Sequence, residues 1–138
     1  MALEFFRELE THAQTQPDHP AIIDGDVTIS YRQLLEQVER FAGGLDTLGL
    51  TPDSKLGLMC LNQRESLVAL LGAFLKGVTV VPYNYLMTPD DLLYITQDAG
   101  VDLIALHPAF LRPETVPFFS QFRQRLLTGP AQDQGLPA

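Results

Sequence analysis

FLKGVTVVPYNYLMTPDDL, residues 74–92, carries an apolar helix end into a valine-rich run, a turn and a second helix start. Gly77 stands where the first helix stops, because glycine enters the left-handed conformation of a helix terminus without steric cost. Val78, Val80 and Val81 then form a short apolar run of the kind found in a strand buried on both faces. Pro82 fixes the chain direction on leaving the strand. Thr88 stands three residues before Asp91, a capping pair for the free N–H groups of a helix start, and Pro89 suits the first helical position. Helix, strand, turn and helix in that order predict an α/β fold.

The same punctuation recurs on either side. Ser30 with Gln33 and Asn62 with Glu65 repeat the capping spacing, and Gly49 and Gly100 repeat the helix stop, so three helices are bracketed at both ends. The first carries Leu34, Val38, Phe41, Leu45 and Leu48 as one stripe, with Gly43 and Gly44 inside it, where close packing is the expected role. The second, residues 63–76, is apolar nearly all round and is expected to be covered on more than one side. KLGLMCL, VTVV and DLIAL lie between the helices as short continuous apolar runs, which predicts a parallel sheet with right-handed βαβ crossovers.

Upstream, LEFFRELETHAQTQ spaces Leu3, Phe6, Leu9 and Ala13 as a short amphipathic helix that stops before Pro17. AIIDGDVTISY reads as a hairpin, with strands at 21–24 and 27–30 about Asp24-Gly25. Downstream of Pro113, PETVPFFSQFRQRLL predicts a further helix with Phe118, Phe122 and Leu126 on one face. Residues 128–138, small, polar and rich in Gly and Pro, read as a linker or disordered tail, leaving residues 1–127 as the folded unit. The expected fold is therefore α/β and three-layered, with a mostly parallel sheet and an N-terminal β-hairpin.

With 138 residues, 46% hydrophobic and 19% charged, the chain fits one domain or part of a larger one. A net charge of -8 without a stripe of Lys or Arg makes nucleic acid an unsuitable partner. No apolar run reaches the roughly 20 residues of a membrane span, and MALEFFRELE carries acids where a signal peptide carries bases, so a cytoplasmic protein is expected. The single cysteine, Cys60, lies in an apolar strand pattern and reads as a buried structural thiol.

Catalytic constellations are scarce. His12, His19 and His107 have no carboxylate or cysteine at ligand spacing, so no metal site is expected. Asp90 and Asp91 complement the dipole of the helix they open. Phe118, Phe119 and Phe122, at helical spacing, read as core in preference to an acyl pocket. Walker-type loops, Gly-x-Ser-x-Gly elbows and Gly-x-Gly-x-x-Gly fingerprints do not occur.

Taken together, ISYRQLLEQVERFAGGLDTLGL, SKLGLMCLNQRESLVALLGAFLKG and VTVVPYNYLMTPDDLLYITQDAGVDLIAL resemble the N-terminal part of the adenylate-forming (AMP-binding) superfamily, which includes acyl-CoA synthetases. The resemblance covers about residues 15–127. Tyr31 and Leu34 match the family's Thr-Tyr-x-x-Leu, with Ser30 in place of the threonine. Asn62 and Glu65 match Pro-Asn-x-x-x-Glu loosely, with Leu61 in the proline position. Gly77, Pro82 and Asn84 match Lys-Ala-Gly-Ala-x-x-x-Pro-x-Asn, except that Lys76 falls one place late. Thr88, Pro89 and Leu92 match the following Thr-Pro-Glu-Glu-Leu.

The resemblance implies an intact enzyme that activates a carboxylate with ATP and magnesium, as in fatty acid metabolism, and passes the acyl group to coenzyme A or another thiol. The family's phosphate loop, rich in Ser, Thr and Gly and ending in Pro-Lys-Gly, is not in this sequence. The expected role is thus a scaffold for acyl and ATP sites, partnered by the remainder of the enzyme, with no catalytic, cofactor-binding or metal residue of its own. Asn84, at the carboxyl end of its strand, is the one candidate substrate-lining residue. The alternative is a free-standing, non-catalytic binding or assembly module of the same fold, self-associating through exposed apolar surface. A small flavodoxin-like domain is a third fit to the βα alternation.

Overall fold

The structure, a computed structural model, describes residues 2–122 and 125–128. Helix α1 (Ala2–Thr15) leads into a hairpin of β1 (Pro20–Asp24) and β2 (Val27–Ser30), paired antiparallel with Asp24 opposite Val27. There follow α2 (Tyr31–Thr47), β3 (Lys55–Met59), α3 (Arg64–Leu75), β4 (Thr79–Pro82), α4 (Pro89–Ala99) and β5 (Leu103–Leu106). A 3-10 turn (Pro108–Phe110), a short helix α5 (Val116–Phe119) and β6 (Arg125–Leu127) complete the described chain.

The four strands β3 to β6 form one parallel sheet in the order β4-β3-β5-β6. Alternation along the strands sends side chains to two opposite faces. Leu56, Leu103 and Ala105 join Leu45 of α2 and Ala73 of α3 on one face. Met59, Ile104 and Leu106 join Leu92 of α4 and Phe118 and Phe119 of α5 on the other. These are the three layers expected of the sequence. A further shell forms where Leu9 of α1 and Ile29 of β2 pack onto Leu34 and Val38 of α2 and Val68 and Leu71 of α3. Helix α3 is thereby covered from the sheet side and from the α1–hairpin side, as its all-round apolar character requires.

Local chemistry explains most of the boundaries. Ser30 and Thr88 both form reciprocal capping boxes, with Gln33 and Asp91 respectively. Gly49, Gly77 and Gly100 close α2, α3 and α4 with φ of 80°, 69° and 70°, a region open to glycine at low cost.

Four expectations are corrected. Asn62 does not cap α3: the cap position is Gln63, which makes no side-chain cap bond, and the Arg64 N–H instead donates to Asp24 Oδ2 at 3.3 Å. Gly43 and Gly44 are not close-packing sites, since a Cβ on either would meet nothing within 4 Å. The close approach belongs to Gly72, where a Cβ would stand 2.6 Å from Phe41 Cδ1. The long helix expected after Pro113 is only four residues, Val116–Phe119. Phe118 and Phe122 do share one core, but Leu126 lies in a parallel strand opposite Ala105 and packs on the other face of the sheet.

Thr128, which opens the expected tail, is buried and continues the strand ladder through its N–H to Leu106 O at 3.0 Å. Residues 129–138 lie outside the described residues.

Candidate functional site

In an open parallel sheet, ligands bind beyond the carboxyl ends of the strands, where successive connections leave toward opposite sides. Here β3 connects to β4 on one side and β5 to β6 on the other, so the divergence falls between the neighbours β3 and β5. The residues following the strand ends are Cys60 after β3, Tyr83 and Asn84 after β4, His107 after β5 and Thr128 after β6. Main-chain bonds hold these ends together: Tyr83 N–H to Leu58 O at 2.9 Å, His107 N–H to Met59 O at 2.9 Å and Thr128 N–H to Leu106 O at 3.0 Å.

Asn84 is exposed, and its side chain serves the turn: Oδ1 accepts from the Leu86 N–H at 2.9 Å, while its carbonyl accepts from the Met87 N–H at 3.1 Å. Tyr85 then stacks on Phe110, with ring centroids 5.4 Å apart, and so ties the β4 turn to the segment that follows β5. The preceding residue, Tyr83, points inward. It is buried, and its hydroxyl lies 2.6 Å from Thr96 Oγ1 of α4. Burial raises the Tyr83 phenol above its ordinary value, against the smaller lowering effect of the Thr96 bond.

Cys60 lies 3.2 Å from Thr128 Oγ1, and its Sγ–H reaches Ala105 O at 3.8 Å. Burial pushes its thiol up, outweighing the hydrogen bond from Thr128, so the protonated form predominates at neutral pH. Cys60 is half-buried, where the sequence predicts a buried thiol, and a thiol held protonated is a poor nucleophile. His107 Nδ1 accepts from the Ala109 N–H at 3.1 Å and caps the 3-10 turn. His12 and His19, distant in sequence, meet at Tyr31, with ring centroids at 4.9 and 6.1 Å. Asp91 is engaged in the Thr88 capping box.

Among the described residues no three His, Cys, Asp or Glu side chains gather as a metal site, and no helix is long and apolar enough to cross a membrane. Lys76, the cation displaced from the family spacing, pairs with Asp46 of α2. The edge therefore offers a hydrogen-bonding amide, aromatic walls and a neutral thiol. Among the described residues no cation or activated nucleophile converges there to stabilise a phosphoryl or acyl transition state.

Three contacts that matter were not legible from local spacing. Thr96 is 13 residues from Tyr83, Asp24 is 40 from Arg64 and Thr128 is 68 from Cys60. No pattern within a helix or turn announces pairings at such separations.

A family model described as AMP-binding enzyme matches residues 9–128. Among similar proteins, surfactin synthase subunit 1 of Bacillus subtilis is 32% identical over 111 residues, 80% of this chain and 3% of that protein. A medium/long-chain-fatty-acid–CoA/3-oxocholest-4-en-26-oate–CoA ligase of Mycolicibacterium smegmatis is 34% identical over 106 residues, 77% of this chain and 19% of that protein. A solved benzoate CoA ligase from Burkholderia xenovorans superposes with a TM-score of 0.80 at 28% identity, covering 92% of this chain and 26% of that one. The chain thus spans under a fifth of these two curated relatives and about a quarter of the solved chain.

Proposed function

Since this chain belongs to the AMP-binding enzyme family, we propose that it is the N-terminal scaffold of an ATP-dependent, AMP-forming carboxylate ligase of the acyl-CoA synthetase kind. The observation that carries this reading is the continuous match over residues 9–128, which takes in the whole sheet. The intact ligase would join a carboxylate to ATP with magnesium, release pyrophosphate, and transfer the acyl group from the adenylate to coenzyme A or another thiol. The scaffold positions loops for that chemistry and performs no step of it. The sequence holds no Ser/Thr/Gly loop ending in Pro-Lys-Gly, and such a step needs positioned donors, lysine or metal.

Within this reading Asn84 lines the acyl channel. Its support is an exposed position at the carboxyl end of β4, where its Oδ1 is engaged by Leu86 and its amide N–H groups are what it offers a ligand. The fatty-acid and benzoate CoA ligases are named for different carboxylates, so the reading concerns carboxylate activation as a class.

The test is nucleotide titration of the 138-residue chain together with an assay for acyl-adenylate. No ATP-dependent adenylate is expected from the chain alone, and specific ATP binding with adenylate formation would sink the scaffold reading. The alternative, a free-standing assembly module, draws on the exposed Ile23, Leu67 and Phe74. Sedimentation as a stable homo-oligomer would favour it.

A further inference from the structure

A groove of about 390 Å³ runs between the hairpin and α3, walled by Ile22 and Ile23 of β1, Leu58 of β3 and Leu67 and Leu70 of α3. Part of its polar rim is engaged within the chain. The Arg64 guanidinium pairs with Asp24 at 3.3 Å and with Glu65 at 3.2 Å, and the Ser66 hydroxyl donates to Leu61 O. Its walls carry open apolar surface: Ile23 is 74% exposed and Leu67 37%. Helix α3 is covered on the two sides that face the sheet and α1, and Leu67 belongs to neither of those cores.

We propose that this groove seats an apolar segment of the longer ligase that follows the matched region, making the Ile23–Leu67 face an internal packing surface of that enzyme. The inference rests on the ligase reading. Its support is the amount of chain unaccounted for: the fold that covers 92% of this chain covers 26% of the benzoate CoA ligase it superposes on. A second copy of this chain is a poorer occupant. An isologous contact between two chains of net charge -8 would set like charge against like. The segment that fits presents aliphatic side chains to Ile23 and Leu67.

The test places Ile23→Asp and Leu67→Asp in two contexts: the 138-residue chain, and the polypeptide translated from the reading frame through and beyond Ala138. In the short chain Ile23, 74% exposed, already meets solvent, so Ile23→Asp is expected to hold Tm within about 1 °C, while Leu67→Asp, at a 37% exposed site, is expected to cost less there than in the longer polypeptide. In the longer one Tm is expected to fall by about 5 °C or more, with amide exchange over residues 21–24 and 64–70 slower than in the short chain. Tyr94→Asp, at an exposed site on α4, is the control in both. Substitutions that cost no more in the longer polypeptide than in the short chain, with no added exchange protection at the groove, overturn the proposal and leave the ligase reading intact. So does a short chain that sediments as a dimer and is rendered monomeric by Ile23→Asp. A reading frame that ends at Ala138, or continues without a Ser/Thr/Gly loop ending in Pro-Lys-Gly, overturns the ligase reading and the proposal with it.

Discussion

The ring of Tyr83 occupies the space that a side chain on Gly57 would need: a Cβ there would stand 2.7 Å from Tyr83 Cε2. Gly57 lies in the middle of β3, where glycine is otherwise a weak choice because it packs nothing. Its absent side chain lets Tyr83, the residue after β4, fold back over the sheet. There the Tyr83 hydroxyl meets Thr96, which itself donates to Leu92 O at 2.7 Å. One small residue thus fixes the direction in which the Pro82–Tyr85 turn leaves the sheet.

Gly57→Ala is expected to destabilise the chain by about 1–3 kcal/mol, because Val101 and Ile104 also crowd the site, at 3.1 and 3.3 Å, and leave the ring little room to yield. Urea denaturation measures it. A variant as stable as the parent would show that the ring moves freely.

Gly43→Ala should act in the opposite sense. Gly43 is a helical, exposed position with nothing within 4 Å of its added Cβ, so the gain is the helix propensity difference, about 0.5–1 kcal/mol. The same denaturation series reads both signs.

Two similar capping spacings are expected to differ. Thr88→Ala removes the side chain that accepts from Asp91 N–H at 3.2 Å and should cost about 1 kcal/mol. Asn62→Ala removes no cap and should stay within about 0.5 kcal/mol. Asp24→Ala is expected to behave like Thr88→Ala, at about 1 kcal/mol, because Asp24 supplies the acceptor at the start of α3. A large loss at Asn62 with none at Asp24 would reverse this assignment.

These contrasts mark how far the sequence could be read. Ser30 and Thr88 were legible because a capping box closes within three residues, and β3, β4 and β5 because continuous apolar runs need burial on both faces. The start of α3 was not, because its acceptor arrives from the hairpin, 40 residues away. The segment after Pro113 misled for a different reason. Phe118 and Phe122 are four apart and face one core in a helical turn, while Leu126 continues that spacing only by coincidence, since strand pairing beside β5 takes it to the opposite face. At the candidate edge, Asn84 was legible as a turn residue. The Tyr83–Thr96 and Cys60–Thr128 pairs that shape its surroundings exist only in the fold.

The half-buried Cys60 thiol and the buried Tyr83 phenol give stability a dependence on alkaline pH. Burial raises Cys60 above its ordinary value of 9.0, so the folded chain favours the protonated thiol more than the unfolded chain does. Its contribution is fully present below pH 9.0 and is lost as pH climbs through the raised value. Tyr83 acts in the same direction from its ordinary value of 10.0 upward. The parent chain should therefore begin to lose stability near pH 9.0, whereas Cys60→Ala, though weaker at neutral pH, should hold its own plateau to near 10.0. Urea midpoints at half-unit steps of pH measure the two curves. Coincident onsets would mean that the thiol is solvated in the fold, and alkylation of Cys60 by iodoacetamide at neutral pH would then proceed at the rate of the unfolded chain, where slow reaction is otherwise expected.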